Sequence, residues 1–306
     1  LAAACQLPVR NDPALLENVV EPPTVAEMLE ALTTPTAFRP EERAAMEQPT
    51  AFVGVTVVPM DAPRSLPDQT VLIERGRIAA MGPRGSVELP PGTRILSGLG
   101  RWLMPGLADM HVHAWAPNHL LLCLANGVTT VRNMFGSPLH LYWRGLIAEH
   151  QMVGPRLLTA GPIVDGDPPT WPGSSVVTTA EEGRQAVIDQ HAAGYDFIKV
   201  YDSVPREAWE ALFDEARLRG LQVCGHVADA AGLHRALAVG QDSIEHLSGT
   251  VAHLHDQGPE LDRLDSWLRF PELDPDGVDE LARRVRDAGT WSCPTLVVME
   301  RIVPAA

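Results

Sequence analysis

From Ala51 the chain reads as short apolar runs broken by glycine and proline: AFVGVTVVPM, then QTVLIERGRIAAMG, then TRILSGLGRWLMPG. Runs rich in β-branched residues and bounded by turn formers predict strands. Glu74-Arg-Gly-Arg77 marks a hairpin turn in the second run. Residues 51–102 therefore read as a small β unit. After Leu103 the period changes. Strand-like runs at 129–134, 156–164, 196–201, 222–227, 242–247 and 291–296 alternate with helical patterns at 118–126, 137–151, 180–193, 205–219, 230–239 and 277–288. Thr179-Ala-Glu-Glu182 and Ser203-Val-Pro-Arg-Glu207 supply helix starts, and Gly194, Gly220, Gly240 and Gly289 stand where a helix is left through a glycine. With Leu103–His113 (LMPGLADMHVH) as the first, seven strands each lead toward a helix. That alternation predicts an α/β fold with a parallel sheet or barrel over 103–306.

Residues 1–50 are rich in proline, glutamate and alanine and read as an extension, with short helices at Val25–Leu32 and Glu41–Gln48. Leu1-Ala-Ala-Ala-Cys5 looks like the end of a bacterial lipoprotein signal peptide. It predicts a lipid anchor at Cys5 and a place in the periplasm or cell envelope; the alternative is the cytoplasm. No other segment is long and apolar enough to span a membrane. The net charge of −15 argues against nucleic acid or anionic membrane as a main partner, since both recruit basic surfaces. The four cysteines form no C-x-x-C pair or disulfide framework. The sequence leaves oligomerisation open.

Charge becomes informative residue by residue. Lys199, within Asp196-Phe-Ile-Lys-Val-Tyr201, is the single lysine among 24 basic residues. Elsewhere arginine serves. A buried lysine amine can become neutral and nucleophilic, whereas a guanidinium cannot. His111 and His113 are one residue apart in a strand, so both imidazoles leave the same face and can hold one metal ion. His226 (in Cys224-Gly-His-Val227) and His246 (in Ser243-Ile-Glu-His246) end two later strands. In a barrel such strand ends converge on one mouth. A neutral lysine amine can add carbon dioxide to form a carbamate, whose two oxygens can bridge two metals. The expected arrangement has two divalent ions, His111 and His113 on the first, His226 and His246 on the second, and the Lys199 carbamate with a hydroxide between them. Metal binding would bring a water's pKa to about 7.

Asp109 shares the face of His111 and reads as its supporting partner. Tyr201 points the same way as Lys199 and could donate to a developing oxyanion. The loop 164–175 follows the third barrel strand, so Trp171 and Trp115 are candidates to line a substrate pocket. His253-Leu-His255 repeats the spacing but reads as a loop. His119, His140, His150, His191 and His234 read as surface or packing residues, and Glu245 is expected on the strand face opposite His246.

These segments together resemble the amidohydrolase superfamily. The resemblance runs from about Ala51 onward and rests on VLIERGRIAAMG, WLMPGLADMHVH, LANGVTTVRNM, FIKVYD, CGHVAD and SIEHLSG. It looks most like the branch with imidazolonepropionase-like proteins and metal-dependent Xaa-Pro dipeptidases. The resemblance implies a (β/α)8 TIM-type barrel, seven of whose eight strands are present here, with a small β-sandwich partly built from the N-terminal side. It implies a carboxylated Lys199, ligands at His111, His113, His226 and His246, two divalent ions, zinc foremost, and a small-molecule amide or dipeptide substrate. One departure stands out: the family's aspartate after the eighth strand has no counterpart, since Asp229 follows the fifth strand and Asp276 precedes a helix. The sequence thus reads as part of a longer protein. Two rival readings follow, a mononuclear cyclic-amide hydrolase or deaminase, and a non-catalytic barrel that binds without hydrolysing.

Overall fold

The computed structural model describes residues 34–254 and 275–298. The chain divides into two compact units, Leu1–Thr34 and Pro35–Ala306, and every described residue except Thr34 belongs to the second. The 51–102 and 103–306 portions both fall within that second unit. Cys5, Val25–Leu32 and His255 lie outside the described residues.

Helix α1 (Pro40–Glu47) leads into β1 (Thr50–Val57). Strand β2 (Leu66–Glu74) pairs antiparallel with β1 and with β3 (Arg77–Pro83), while β4 (Arg94–Ser97) and β5 (Trp102–Leu103) run parallel to β1. The β2–β3 hairpin closes on Glu74 and Arg77, with Arg75 and Gly76 at φ +49° and +70°. Two left-handed residues in succession match the twist of a tight hairpin. Val55, Val57 and Val71 fill the sheet's core.

The rest of the unit alternates strand and helix. Strands β6 (Leu107–Val112), β7 (Val128–Asn133) and β8 (Arg156–Thr159) are parallel neighbours, with α2 (Pro117–Ala125) and α3 (Pro138–Ala148) between them. Strands β9 (Val164–Asp165) and β10 (Ser175–Val176) precede α4 (Ala180–Ala193), β11 (Phe197–Val200), α5 (Arg206–Arg219), β12 (Gln222–Gly225), α6 (Gly232–Val239) and β13 (Ser243–Glu245). Helices α7 (Thr250–Leu254) and α8 (Pro275–Asp287) and strand β14 (Trp291–Cys293) complete the described part. The sheet order is β10-β9-β11-β12-β13-β14, all parallel, and a parallel bridge from Ala160 to Phe197 links β8 to β11. The predicted α/β alternation is therefore present.

Two local expectations need correction. The run 156–164 is two strands, because Gly161 and Pro162 interrupt it. Proline offers no ladder donor, and a Cβ on Gly161 would sit 2.4 Å from Gln190 Oε1. His253 lies in helix α7 rather than a loop, since Leu254 packs onto the main core. Elsewhere the punctuation acts as expected. Thr179 and Glu182 form a reciprocal capping box, and α4, α5 and α6 are left through Gly194, Gly220 and Gly240, all left-handed. Trp209, Leu212, Ile198, Val200, Val223 and Ile244 lie in the core between sheet and helices. This layer fixes the strand ends that carry the polar residues.

Candidate metal centre

The structure brings the five predicted metal-site residues together. His111 lies in β6 and His113 just beyond it; Lys199 lies in β11; His226 follows β12 and His246 follows β13. Ring centroids are 5.2 Å apart for His111–His113, 4.5 Å for His111–His246 and 5.2 Å for His226–His246. Lys199 is 1% exposed and lies close enough to all four imidazoles that a positive charge on it would disfavour their protonation. Gly225 permits this convergence. It sits at φ +134°, and a Cβ there would lie 2.2 Å from the Val200 carbonyl oxygen and 3.0 Å from Lys199 Cδ.

Three of the histidines are held by Nδ1. That of His111 donates to Glu245 Oε2 at 2.6 Å, and that of His226 donates to Asp202 Oδ1 at 2.9 Å. His246 Nδ1 lies 2.5 Å from Thr295 Oγ1, whose hydroxyl donates to the Pro294 carbonyl at 2.8 Å. With that hydrogen committed, the threonine oxygen accepts from Nδ1–H. Each partner therefore selects the tautomer with its lone pair on Nε2. Burial, the largest influence on each, lowers the pKa of all four imidazoles: His113 to about 4, His246 to about 2, His226 well below its ordinary value, and His111 despite the opposing Glu245 bond. All four are neutral at pH 7.

This donor set fits divalent metal ions. The His226 Nε2 atom is buried and has no hydrogen-bond partner among the described residues, an unfavourable state for a polar nitrogen unless it binds something. The His111 and His113 Nε2 atoms are 3.3 Å apart. That span suits two nitrogen ligands on one tetrahedral ion with metal–nitrogen bonds of about 2.0–2.1 Å. Ligand imidazoles characteristically donate their second N–H to a carboxylate or similar acceptor.

Glu245 corrects the sequence expectation. Strand alternation puts it on the face opposite His246, but its fully buried carboxylate faces the centre and accepts from His111, from Arg132 Nη2 at 2.6 Å and from Ser243 Oγ at 2.6 Å. Strand alternation stops at Glu245, because His246 and Leu247 are left-handed at φ +59° and +54°. The turn swings His246 back toward the side that Glu245 already occupies. Burial alone would raise the Glu245 pKa; the His111 bond and the charges of Lys199 and Arg132 outweigh it and bring it to about 2. Arg132, 8% exposed within β7, also donates Nε–H to the Met110 carbonyl at 2.7 Å. An arginine inside the strand VTTVRN was the available signal for this pair, much as Lys199 was inside FIKV.

Asp109 Oδ1 accepts the backbone N–H of His111 at 3.0 Å, so it steadies the strand end rather than the imidazole ring. Tyr201 stacks on His226 at 3.9 Å, and its hydroxyl accepts from Trp171 Nε1 at 2.9 Å. Cys293 Sγ lies near His111 and Glu245, but burial first and Glu245 next raise the thiol pKa to about 11. His140, buried, donates to the Ala114 carbonyl at 2.8 Å and anchors the chain just past His113. A cavity of about 440 Å³ opens onto the centre, lined by Asp109, His111, His113, His246 and several aromatic residues.

No family model matches the chain. The bottromycin amidohydrolase structure is 28% identical with a TM-score of 0.63, over 83% of this chain and 54% of that one. A Xaa-Pro dipeptidase with bound methionine is a likeness of fold, with 22% identity and a TM-score of 0.62 over 83% of this chain and 68% of that one. An adenine deaminase of Ruegeria pomeroyi is 45% identical over 49 residues, 16% of this chain and 8% of its own length. In fold and in these segments the chain is similar to amidohydrolases. It spans about half the length of the bottromycin amidohydrolase structure, 54%.

Proposed function

We propose that this chain carries the metal centre of a hydrolase of amide-like C–N bonds, with two divalent ions, zinc foremost. In this reading His111 and His113 hold one ion and His226 and His246 the other. Lys199, carboxylated on Nζ by carbon dioxide with loss of a proton, would supply oxygen ligands to both. The observation that carries the reading is the set of neutral imidazoles gathered around one buried lysine, three of them turned by Nδ1 partners so that Nε2 faces the centre. Bound metal would supply Lewis acidity toward the substrate carbonyl and a lowered pKa for water.

The chain's own residues do the rest. Glu245, Asp202 and Thr295 orient three imidazoles, and Glu245 itself is held by Arg132 and Ser243. Tyr201, at the cavity wall, is assigned to the developing oxyanion. We further propose that the parallel strands belong to a closed eight-stranded barrel. The outer strands β6 and β14 carry exposed Leu107, Met110 and Trp291, surfaces that an intervening strand would cover. The amidohydrolase and Xaa-Pro dipeptidase likenesses support a small amide, dipeptide or N-acyl amino acid as substrate.

The test is hydrolysis of a panel of dipeptides, N-acyl amino acids and cyclic amides by the complete protein, supplied with zinc, manganese or cobalt and bicarbonate. Turnover that disappears with chelator and returns with metal supports the reading. Absence of turnover on every substrate and metal supports the non-catalytic rival.

A further inference from the structure

We propose that the cavity beside the metal centre receives a neutral, flat aromatic group of the substrate, and that Trp115 and Trp171 grip it. The proposal rests on the hydrolase reading for the word substrate, but the pocket can be tested without metal.

The walls away from the histidines include the aromatic Trp115, Phe135, Trp171 and Tyr201, with Ile163, Val297 and Val298 adding aliphatic surface. Trp115 is 63% exposed and Trp171 is 50% exposed. Large apolar surface left open beside a functional centre is informative, because a core would ordinarily cover it. These two rings are also held in place. Trp115 lies nearly parallel to the His113 ring, at 5.7 Å and 10°, and meets Phe135 edge-on at 5.7 Å and 82°. Trp171 donates its indole N–H to Tyr201, which is itself stacked on His226. Aromatic surfaces fixed before a ligand arrives avoid the ordering cost of binding, and indoles favour offset-stacked or edge-to-face contact with another ring.

The charge of the lining narrows the ligand. No arginine or lysine lines the cavity among the described residues. Asp109 contributes a negative charge, and its Oδ1 already accepts from the His111 backbone. A carboxylate placed against the aromatic walls would lose water and gain no cationic partner. A dipeptide or N-acyl amino acid fits only with its charged terminus turned out of this cavity. The volume of about 440 Å³ accommodates a substituted aromatic amide.

The experiment is isothermal calorimetry on the complete chain, freed of metal by chelator, with benzamide, acetamide, benzoate and benzylamine as probes. Benzamide is expected to bind at least tenfold more tightly than each of the other three. Trp115→Ala and Trp171→Ala should each weaken benzamide at least fivefold, whereas Trp171→Phe, which keeps a ring and removes the N–H, should stay within twofold of the parent. Both tryptophans are at least half exposed, so the fold does not depend on their bulk; circular dichroism of each variant checks this. The proposal is overturned if no probe binds, if acetamide, benzoate or benzylamine matches benzamide, or if both alanine variants bind benzamide as the parent does. Because metal is absent, these outcomes are separate from those that decide the hydrolase reading.

Discussion

His111 Nδ1 and Glu245 Oε2 lie 2.6 Å apart, 134 residues apart in sequence. The bond ties β6 to β13 beneath the candidate centre and commits His111 to presenting Nε2 toward His113. Glu245 can serve this role because Arg132 and Ser243 hold its other oxygen. Glu245→Gln keeps the shape but replaces a charge-assisted acceptor with an amide. Losing such an outer partner characteristically lowers metal affinity by about 10–100-fold. Competition between the protein and a chromogenic zinc chelator should show a loss of that size; unchanged affinity would show that His111 is oriented by packing alone.

Acid should destabilise the metal-free chain in a defined window. The imidazoles titrate below their ordinary value of 6.5 in the fold, His113 at about 4 and His246 at about 2, so the unfolded chain binds their protons first. Glu245, at about 2 against an ordinary 4.5, acts with the same sign. The unfolded state therefore binds more protons across this range, and stability falls as pH falls. The histidine contribution is fully present above pH 6.5 and begins to be lost below it; that of Glu245 is lost from about 4.5 toward 2. Urea midpoints measured from pH 8 to pH 5 should decline below 6.5. A midpoint that rises on acidification would contradict the burial of neutral imidazoles.

Gly225→Ala tests how the centre is assembled. Its Cβ would meet the Val200 carbonyl at 2.2 Å, from a backbone conformation side chains rarely adopt. Strain of this kind costs about 1–3 kcal/mol, and relieving it would move His226 away from Lys199. Chemical denaturation should show that loss, with weakened metal binding beside it. A variant of parental stability and affinity would mean that β11 and β12 are not held this closely.

Tyr201→Phe addresses the assigned oxyanion role. Removing one such donor typically lowers kcat by about 10²–10³-fold. KM should change little, since the ring still stacks on His226. Steady-state kinetics on any substrate found for the complete protein would show the split; an unchanged kcat would leave Tyr201 as part of the wall that carries Trp171.

Much of this arrangement is visible in the chain beforehand, for physical reasons. Glycines at helix ends and the switch from strand runs to strand–helix alternation are local signals, and they place the strand ends where Lys199 and the four histidines stand. Alternation misplaces Glu245 because it assumes an extended backbone, and His246 leaves it for a left-handed turn. The roles of Arg132, Asp202 and Thr295 depend on partners between 24 and 113 residues away, which no local pattern encodes. The Trp171–Tyr201 bond is of the same kind, spanning 30 residues.

The central claim is that Lys199, once carboxylated, lies between two metal ions held by His111, His113, His226 and His246. The most direct measurement is metal content by plasma mass spectrometry, alongside carbon-13 NMR of the complete protein prepared with labelled bicarbonate. The account predicts two ions per chain and a lysine carbamate signal, with the signal absent and at most one ion retained in Lys199→Ala. One ion per chain with no carbamate signal, or a Lys199→Ala variant that keeps both ions, would contradict it.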